Sequence, residues 1–272
     1  MISVSLVTYN TPYDEIKDLI LSVLSLHDVI FFIIDNSPGN SIESYLPKAD
    51  NLFFIDNEKN IGFGSAHNIS IDKAINMGSD YHLVLNPDVT IPGGTVEKMI
   101  AFMDENPNVG LVMPKVLYPD GRVQMLPKLL PSPWSIVKRR LYLPLKLKNI
   151  LLQNYELRNI SDEFATEVPI ISGCFSLFRT SVFKTAGKYD ERFFMYFEDF
   201  DISRRINKYF KTIYLPNVFV HHGYEAGARR NLRLLRIFII SFLRYFNKWG
   251  WIFDKDRKKI NKCILQKIQE EN

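Results

Sequence analysis

Asp88 closes the run Leu85-Asn86-Pro87-Asp88, where an apolar stretch stops abruptly. A carboxylate there can hold a hard divalent cation that also grips a phosphate. The same Asn-Pro-Asp can be a plain turn, since all three types favour one. Glu198 and Asp199 form a second group at the start of a helical pattern, where acids complement the helix dipole by about 0.3–1 kcal/mol. Phe193, Phe194, Tyr196 and Phe197 surround them. Aromatic walls around adjacent carboxylates raise a proton affinity, as a general base requires. A third group is His221-His222. Neighbouring side chains on a strand point to opposite faces, so at most one of the pair reaches a given site. An imidazole there suits a manganese-like ion beside a carboxylate and diphosphate oxygens. Asp201 is spaced to pair with Arg204 or Arg205 along the helix. His27, His67 and His82 have no such context.

These groups need elements to position them. Ile2 to Thr8 reads as a strand, followed by Thr11-Pro12 as a helix start and by Ile16, Leu19, Ile20, Val23 and Leu24 at helical spacing. Val29 to Ile34 reads as a buried parallel strand that meets a loop at Asp35-Asn36-Ser37-Pro38-Gly39. Leu52 to Ile55 and Tyr81 to Leu85 are further strands, with Asn60-Ile61-Gly62-Phe63-Gly64 leading into a helix between them. Repeated strand–helix units with short links imply a doubly wound α/β sheet, helices on both faces. Ligands bind beyond the carboxyl ends of such strands. Three polar stops lie there: Thr8-Tyr9-Asn10, Asp35-Asn36 and Asn86-Pro87-Asp88.

The later half is less regular. Val116 to Met125 reads as a hairpin around Pro119-Asp120-Gly121. Residues 126–165 carry several prolines and the basic patch Lys138-Arg139-Arg140 with no clean period, and read as a mobile or variable insert. Val168 to Phe178 returns to strand character, a helix runs to about Phe210, and strands at Thr212–Leu215 and Val218–Val220 end at the histidine pair.

The chain has 272 residues, 46% of them hydrophobic and 24% charged, which excludes wholesale disorder and a collagen-like chain. Two cysteines, Cys174 and Cys263, make neither a disulfide framework nor a zinc pattern. No secretory signal is visible, so a cytoplasmic setting is expected. The charge is unevenly placed. Residues 229–262 hold eleven Lys and Arg against two acids, Asp254 and Asp256, while the remaining chain has 23 basic and 28 acidic residues. The Gly62-Phe63-Gly64 loop lacks the full dinucleotide fingerprint and the phosphate-loop lysine, which leaves a dehydrogenase with thin support.

Together the motifs resemble those of family-two inverting glycosyltransferases, in particular the rhamnosyltransferase-like branch of bacterial polysaccharide synthesis. The residues that carry the resemblance are Val7-Thr8-Tyr9-Asn10, Asp35-Asn36-Ser37, Asn57…Asn60-Ile61-Gly62-Phe63-Gly64…Asn68, Leu85-Asn86-Pro87-Asp88, Gly187…Asp190-Glu191…Phe193-Phe194…Glu198-Asp199…Asp201…Arg204 and His221-His222. They span Ile2 to Gly223. The resemblance implies a GT-A fold: a mixed, Rossmann-like sheet flanked by helices. It divides the catalytic domain, residues 1–225, into a nucleotide-sugar half (1–115) and an acceptor half (116–225), with basic amphipathic helices over 226–272.

It also implies roles. Thr8 and Tyr9 line a nucleobase pocket, Asp35 accepts from a pyrimidine, and Asn60, Gly62, Gly64 and Asn86 border the donor. Asp88 and His221 hold Mg²⁺ or Mn²⁺, His222 being the lesser choice, although Asn86 stands where the family's motif has its first acid. Asp199 is the general base of a single inverting displacement, with Glu198 orienting the acceptor or raising the proton affinity of Asp199. The expected donor is dTDP-L-rhamnose, with UDP-galactose, UDP-galactofuranose or UDP-N-acetylglucosamine as alternatives. A non-catalytic nucleotide-binding protein at a membrane is the rival from another class.

Arg229, Arg233, Arg236, Arg244 and Lys248 fall in one helical arc, opposite Leu234, Leu235, Phe238, Phe242 and Tyr245. Such a helix either lies on an anionic leaflet or packs on the body with a solvated basic face. The resemblance extends to Tyr245-Phe246-Asn247-Lys248-Trp249-Gly250-Trp251 and implies a lipid-linked saccharide acceptor, with 229–262 on the cytoplasmic face of the inner membrane. Nucleic acid is not an expected partner, since no binding module accompanies the charge.

Overall fold

A computed structural model describes residues 1–39, 41–141, 144–223 and 231–271. Its first half follows the strand–helix alternation: β1 (Ile2–Thr8), α1 (Tyr13–Leu24), β2 (Val29–Asp35), β3 (Leu52–Asp56), α2 (Phe63–Asn76), β4 (Tyr81–Leu85), β5 (Val89–Thr90), α3 (Thr95–Glu105) and β6 (Val109–Leu117). Then come α4 (Pro133–Arg140), α5 (Leu145–Leu152), β7 (Thr166–Glu167), β8 (Phe175–Arg179), α6 (Val182–Ala186), α7 (Glu198–Ile206), β9 (Lys211–His222), α8 (Leu232–Trp249) and α9 (Lys255–Glu271). Strands β1 to β9 form one mixed sheet in the order β3-β2-β1-β4-β8-β6-β9-β5, with β7 paired to β9.

β1 to β4 are mutually parallel, so Thr8, Asp35 and Leu85 end at the same sheet edge. The continuous apolar run of β2 is explained by cover on both faces. Phe31 and Ile33 enter the main core with Ile16 and Ile20 of α1, while Phe32 and Ile34 pack against Ala66 of α2. β8 runs antiparallel between β4 and β6, which carries the sheet from the first half of the chain into the second.

Three expectations are corrected. Residues 126–165 are not without periodic structure, because α4 and α5 form there. A capping box starts α4: Ser132 and Ser135 bond each other's backbone, and Pro133 opens the helix. The run Val168–Phe178 is a strand only from Phe175, and the two strands expected before the histidines are one, β9.

The C-terminal segment packs on the body. Tyr245 and Phe246 of α8 are fully buried. Ser241 Oγ donates to Met195 O at 2.8 Å, and Trp249 Nε1 to Asp201 Oδ1 at 2.8 Å. The basic arc is therefore split. Lys248 turns inward to Asp190 and Asp201, both at 2.7 Å, and the Arg244 guanidinium donates to Arg192 O. Arg233 and Arg236 face outward, whereas Arg229 and Arg230 lie outside the described residues.

Candidate active site

At the end of β2, Asp35 is fully buried. Its Oδ1 accepts from Thr8 Oγ1 (3.1 Å), Ser37 N (3.0 Å) and Ser37 Oγ (2.5 Å). Among the described residues its Oδ2 has no partner. A buried carboxylate oxygen left unpaired costs about 1–3 kcal/mol or more, so a ligand donor fits there. Thr8 serves Asp35 rather than an open pocket wall, since it is buried with its hydroxyl donated. Tyr9 is exposed.

Asn36, Asn57 and Asn60 form an amide cluster under the glycine loop. Asn57 Nδ2 donates to Asn36 Oδ1 (2.8 Å), Asn36 Nδ2 to Gly62 O (3.3 Å), and Gly62 N to Asn60 Oδ1 (2.9 Å). The glycines are required for close packing. Gly62 has φ +94°, and a Cβ on it would lie 2.5 Å from Phe194 O; one on Gly64 would lie 2.8 Å from Tyr189 Cβ. Asn68 on α2 bonds both backbone groups of Tyr189 at 2.9 and 3.0 Å. The glycine loop is thus fastened to the segment that leads into α7.

Asp88 sits just before β5, which pairs antiparallel with the end of β9 and brings Val89 opposite His222. His222 Nε2 lies 3.2 Å from Asp88 Oδ1 and 3.3 Å from Asn86 Nδ2. His222 makes this contact, where the sequence reading expects His221. His221 also lines the cavity of about 340 Å³ that contains Asp88, but its Nδ1 turns to Tyr118 O at 3.4 Å. Strand alternation turns the two rings to different polar partners, Tyr118 O for His221 and Asp88 for His222, although both line this cavity.

Gln124, which the sequence did not single out, fixes the orientation of His222. Its Nε2 donates to His222 O at 2.7 Å, so its Oε1, 3.1 Å from Nδ1, accepts that ring proton. Nε2 then offers a lone pair beside the Asp88 carboxylate, an arrangement that suits a divalent cation between them. Among the described residues no group of three His, Cys, Asp or Glu gathers. Asp88 and His222 are thus two candidate ligands, and a hard cation held by two protein groups completes its shell with diphosphate oxygens and water.

Glu198 and Asp199 occupy the first turn of α7. The two residues before them, Tyr196 and Phe197, have φ +70° and +68°, a strained conformation for aromatic residues. Phe197 is held by packing against Phe238, Phe242 and Tyr245 of α8. The aromatic residues around the acids therefore anchor the turn to α8 as well as wall it.

Burial and then the adjacent Asp199 push the Glu198 carboxyl well above its usual range. Burial also raises Asp199, but Lys128 and the backbone N–H groups of Phe200 and Gly173 oppose that rise. Both carboxyls are thus raised, Glu198 by burial and by Asp199, and Asp199 by burial against the pull of Lys128 and two backbone N–H groups. Asp199 remains partly open to solvent, while Glu198 is buried. Gly173 and Cys174 link the two carboxylate sites. Gly173 bonds Asp199 through its N–H, Cys174 O accepts from Asn86 N at 2.9 Å, and the Cys174 thiol feels the charges of both Asp88 and Asp199.

Lys128 was also not singled out, though a lone lysine in Met125-Leu126-Pro127-Lys128-Leu129-Leu130 was the available signal. It is 4% exposed, and its ammonium donates to Met125 O (3.2 Å) and Leu126 O (2.8 Å). Burial and the nearby Arg139 pull its pKa down to about 7, opposed by Glu156, Asp199 and Cys174. Below about pH 7 the ammonium is charged and favours the ionised form of Asp199. Replacing Lys128 with Met raises the pH at which Asp199 ionises. The acid limb of the kcat/KM profile should move to higher pH, with a several-fold larger loss at about pH 6 than at about pH 8. An unshifted profile in a folded variant removes Lys128 from the control of Asp199.

A sequence model described as glycosyl transferase family 2 matches residues 3–187. An N-acetylglucosaminyl-diphospho-decaprenol L-rhamnosyltransferase of Mycobacterium tuberculosis (strain CDC 1551 / Oshkosh) is 27% identical over 237 residues, covering 82% of this chain and 76% of that protein. The fold is similar to that of GalNAc-T7 crystallised with UDP, GalNAc and Mn²⁺ (TM-score 0.64, 17% identity), over 91% of this chain. This chain spans about half of GalNAc-T7, 48% of its length. It is also similar to S. aureus TarS 1-349 in complex with UDP, with TM-score 0.60 and 15% identity over 97% of this chain and 70% of that one. These two likenesses establish a GT-A-like mixed α/β fold.

Proposed function

Because the chain belongs to glycosyl transferase family 2, we propose that this glycosyltransferase moves L-rhamnose, with inversion, from dTDP-L-rhamnose to a lipid-linked saccharide. The observation that carries the reading is the Gly173-Cys174 segment, which touches the Asp88 strand end on one side and Asp199 on the other. In this reading a donor diphosphate at Asp88 and a base at Asp199 share that segment. The donor sugar and the acceptor are supported by the mycobacterial relative, whose name specifies an L-rhamnosyl group and N-acetylglucosaminyl-diphospho-decaprenol.

In this reading Asp35 Oδ2 accepts the N–H of the pyrimidine. Asp199 takes the proton of the acceptor hydroxyl as it attacks the anomeric carbon, while the bond from that carbon to the diphosphate oxygen breaks. Burial and the adjacent Asp199 favour the neutral form of Glu198, which leaves Asp199 as the base. Asp88 and His222, oriented by Gln124, would hold Mg²⁺ or Mn²⁺, with Asn86 beside them. When bound, that cation offsets the charge that builds on the departing nucleoside diphosphate. A lipid-linked acceptor lies at a bilayer. Among the described residues no helix is long and apolar enough to cross one. The protein works from the surface, on the cytoplasmic face.

The test is turnover by the purified full chain against a panel of nucleotide sugars, with a polyprenyl-diphospho-N-acetylglucosamine acceptor and with Mn²⁺, Mg²⁺ or chelator. Transfer from dTDP-L-rhamnose that stops in chelator is expected. Preference for a UDP-sugar would overturn the donor, and full activity in chelator would overturn the cation seat.

A further inference from the structure

Two stretches of the chain carry no acid at all, residues 121–155 and 226–253, and between them they hold thirteen Lys and Arg. Lys128 and Lys248 turn inward, Arg122 and Arg139 meet Asp120 and Glu156, and Arg229 and Arg230 lie outside the described residues. The described parts of the two stretches meet where α4 touches α8. Arg140, the last residue of α4, lies over the Phe238 ring of α8 at 4.1 Å, and Phe238 in turn packs on Tyr196 and Phe197 beside the acidic turn of α7.

Both stretches expose large apolar side chains. On α8 the inward arc is filled by Ser241, Tyr245 and Phe246, yet Leu232 (83% exposed), Ile239 (48%) and Leu243 (43%) face out among Arg233 and Arg236. On α4 and α5, Trp134 is 61% exposed and Ile150 71% exposed, with Lys138 over the Trp134 ring at 5.7 Å and Lys146 outward. A face kept in water has no use for this mixture of unpaired apolar area and single-sign charge. A bilayer interface with anionic headgroups satisfies both parts: the apolar groups leave water and the cations meet phosphate.

We propose that the outward faces of α4–α5 and α8 form one bipartite surface that seats the protein on an anionic bilayer. The lipid of the acceptor then lies in the same bilayer that covers α8, and its saccharide comes to Asp199 from the side of the half-buried Tyr196. This deepens the lipid-linked acceptor reading, but vesicle binding is measured with no donor or acceptor present, so the two succeed or fail separately.

The experiment is flotation of the full chain with vesicles of phosphatidylcholine alone or with about a third phosphatidylglycerol. Three double variants are compared: Trp134→Ser with Ile150→Ser on α4–α5, Arg233→Glu with Arg236→Glu on α8, and Lys17→Glu with Lys98→Glu as a charge-matched control. All six positions are surface-exposed, and melting curves confirm that each variant folds. Binding that needs phosphatidylglycerol, lost about tenfold or more in each of the first two variants and unchanged in the control, is expected. The proposal is overturned by wild-type protein that stays free or binds neutral vesicles equally well. It is also overturned by an α4–α5 variant that binds like wild type, or by light scattering that shows a dimer broken by Trp134→Ser and Ile150→Ser, which assigns the face to a second copy of the chain.

Discussion

Asp199→Asn should lower turnover by about 10²–10⁴-fold while nucleotide affinity stays unchanged. Asn has the shape of Asp and keeps an oxygen for the Phe200 N–H, which donates to Asp199 Oδ1 at 2.9 Å. The turn at Tyr196-Phe197 and its packing on α8 are therefore undisturbed. What is lost is the group that accepts a proton, and a sugar hydroxyl is a poor nucleophile without one. Glu198 does not substitute, because burial and the neighbouring Asp199 favour its neutral form and its Oε2 is sealed from solvent. The comparison with Glu198→Gln is informative, since that change preserves a neutral side chain and should cost far less. Turnover and dTDP titration on the two variants check both statements. Equal losses would mean that the pair shares its proton, and an active Asp199→Asn would move the base elsewhere.

Much of this site was legible because parallel strands end together. Thr8, Asp35 and Asn86 were recognisable as polar stops after apolar runs, and the register of β1 with β2 and β4 puts them on one edge. What was not legible depends on contacts between distant segments. The choice between His221 and His222 is set by pairing with β5 and by an irregularity in β9, where Pro216 to Val218 have no counterpart between Pro114 and Lys115 of β6. An odd insertion flips the faces of all that follows, so alternation counted from Thr212 cannot reach the histidines. Gln124 and Lys128 lay in a stretch whose polar residues looked like loop chemistry, and only their burial against the site reveals a use. The split of the basic arc on α8 follows from Asp190 and Asp201, far upstream, whose carboxylates turn Lys248 inward.

The same long-range logic sets the largest expected loss of stability, at Asp254. Arg204 on α7 is 2% exposed and meets Asp254, just before α9, with both arms of its guanidinium: Nη1 to Oδ2 at 2.8 Å and Nη2 to Oδ1 at 2.7 Å. Trp249 lies under the guanidinium at 4.2 Å, and Arg257 N also donates to Asp254 Oδ1 at 2.9 Å. Burial pushes the Asp254 carboxyl up, but the bonds from Arg204 and Arg257 outweigh it and hold the group below its usual range. Asp254→Ala leaves a buried guanidinium without its counter-charge and should destabilise the protein by about 3–5 kcal/mol, read as a lower urea midpoint. Replacing both partners with apolar residues, Arg204→Met with Asp254→Leu, should recover a large part of that loss, because the penalty lies in the orphaned charge rather than in the missing pair. The pH dependence has a definite sign. A carboxyl lowered in the folded state stabilises above the unfolded pKa of about 3.9, and that stability is lost as pH falls through the folded value. Wild-type stability should therefore drop in acid below about pH 4 more steeply than that of the double variant. Since Arg204 stands on the same short helix as Asp199, this pair also ties the base to the C-terminal helices. A cost for Asp254→Ala of less than about 1 kcal/mol, the range of an exposed pair, would mean that Arg204 swings out to water and that α7 is held by the aromatic contacts of Phe197 instead.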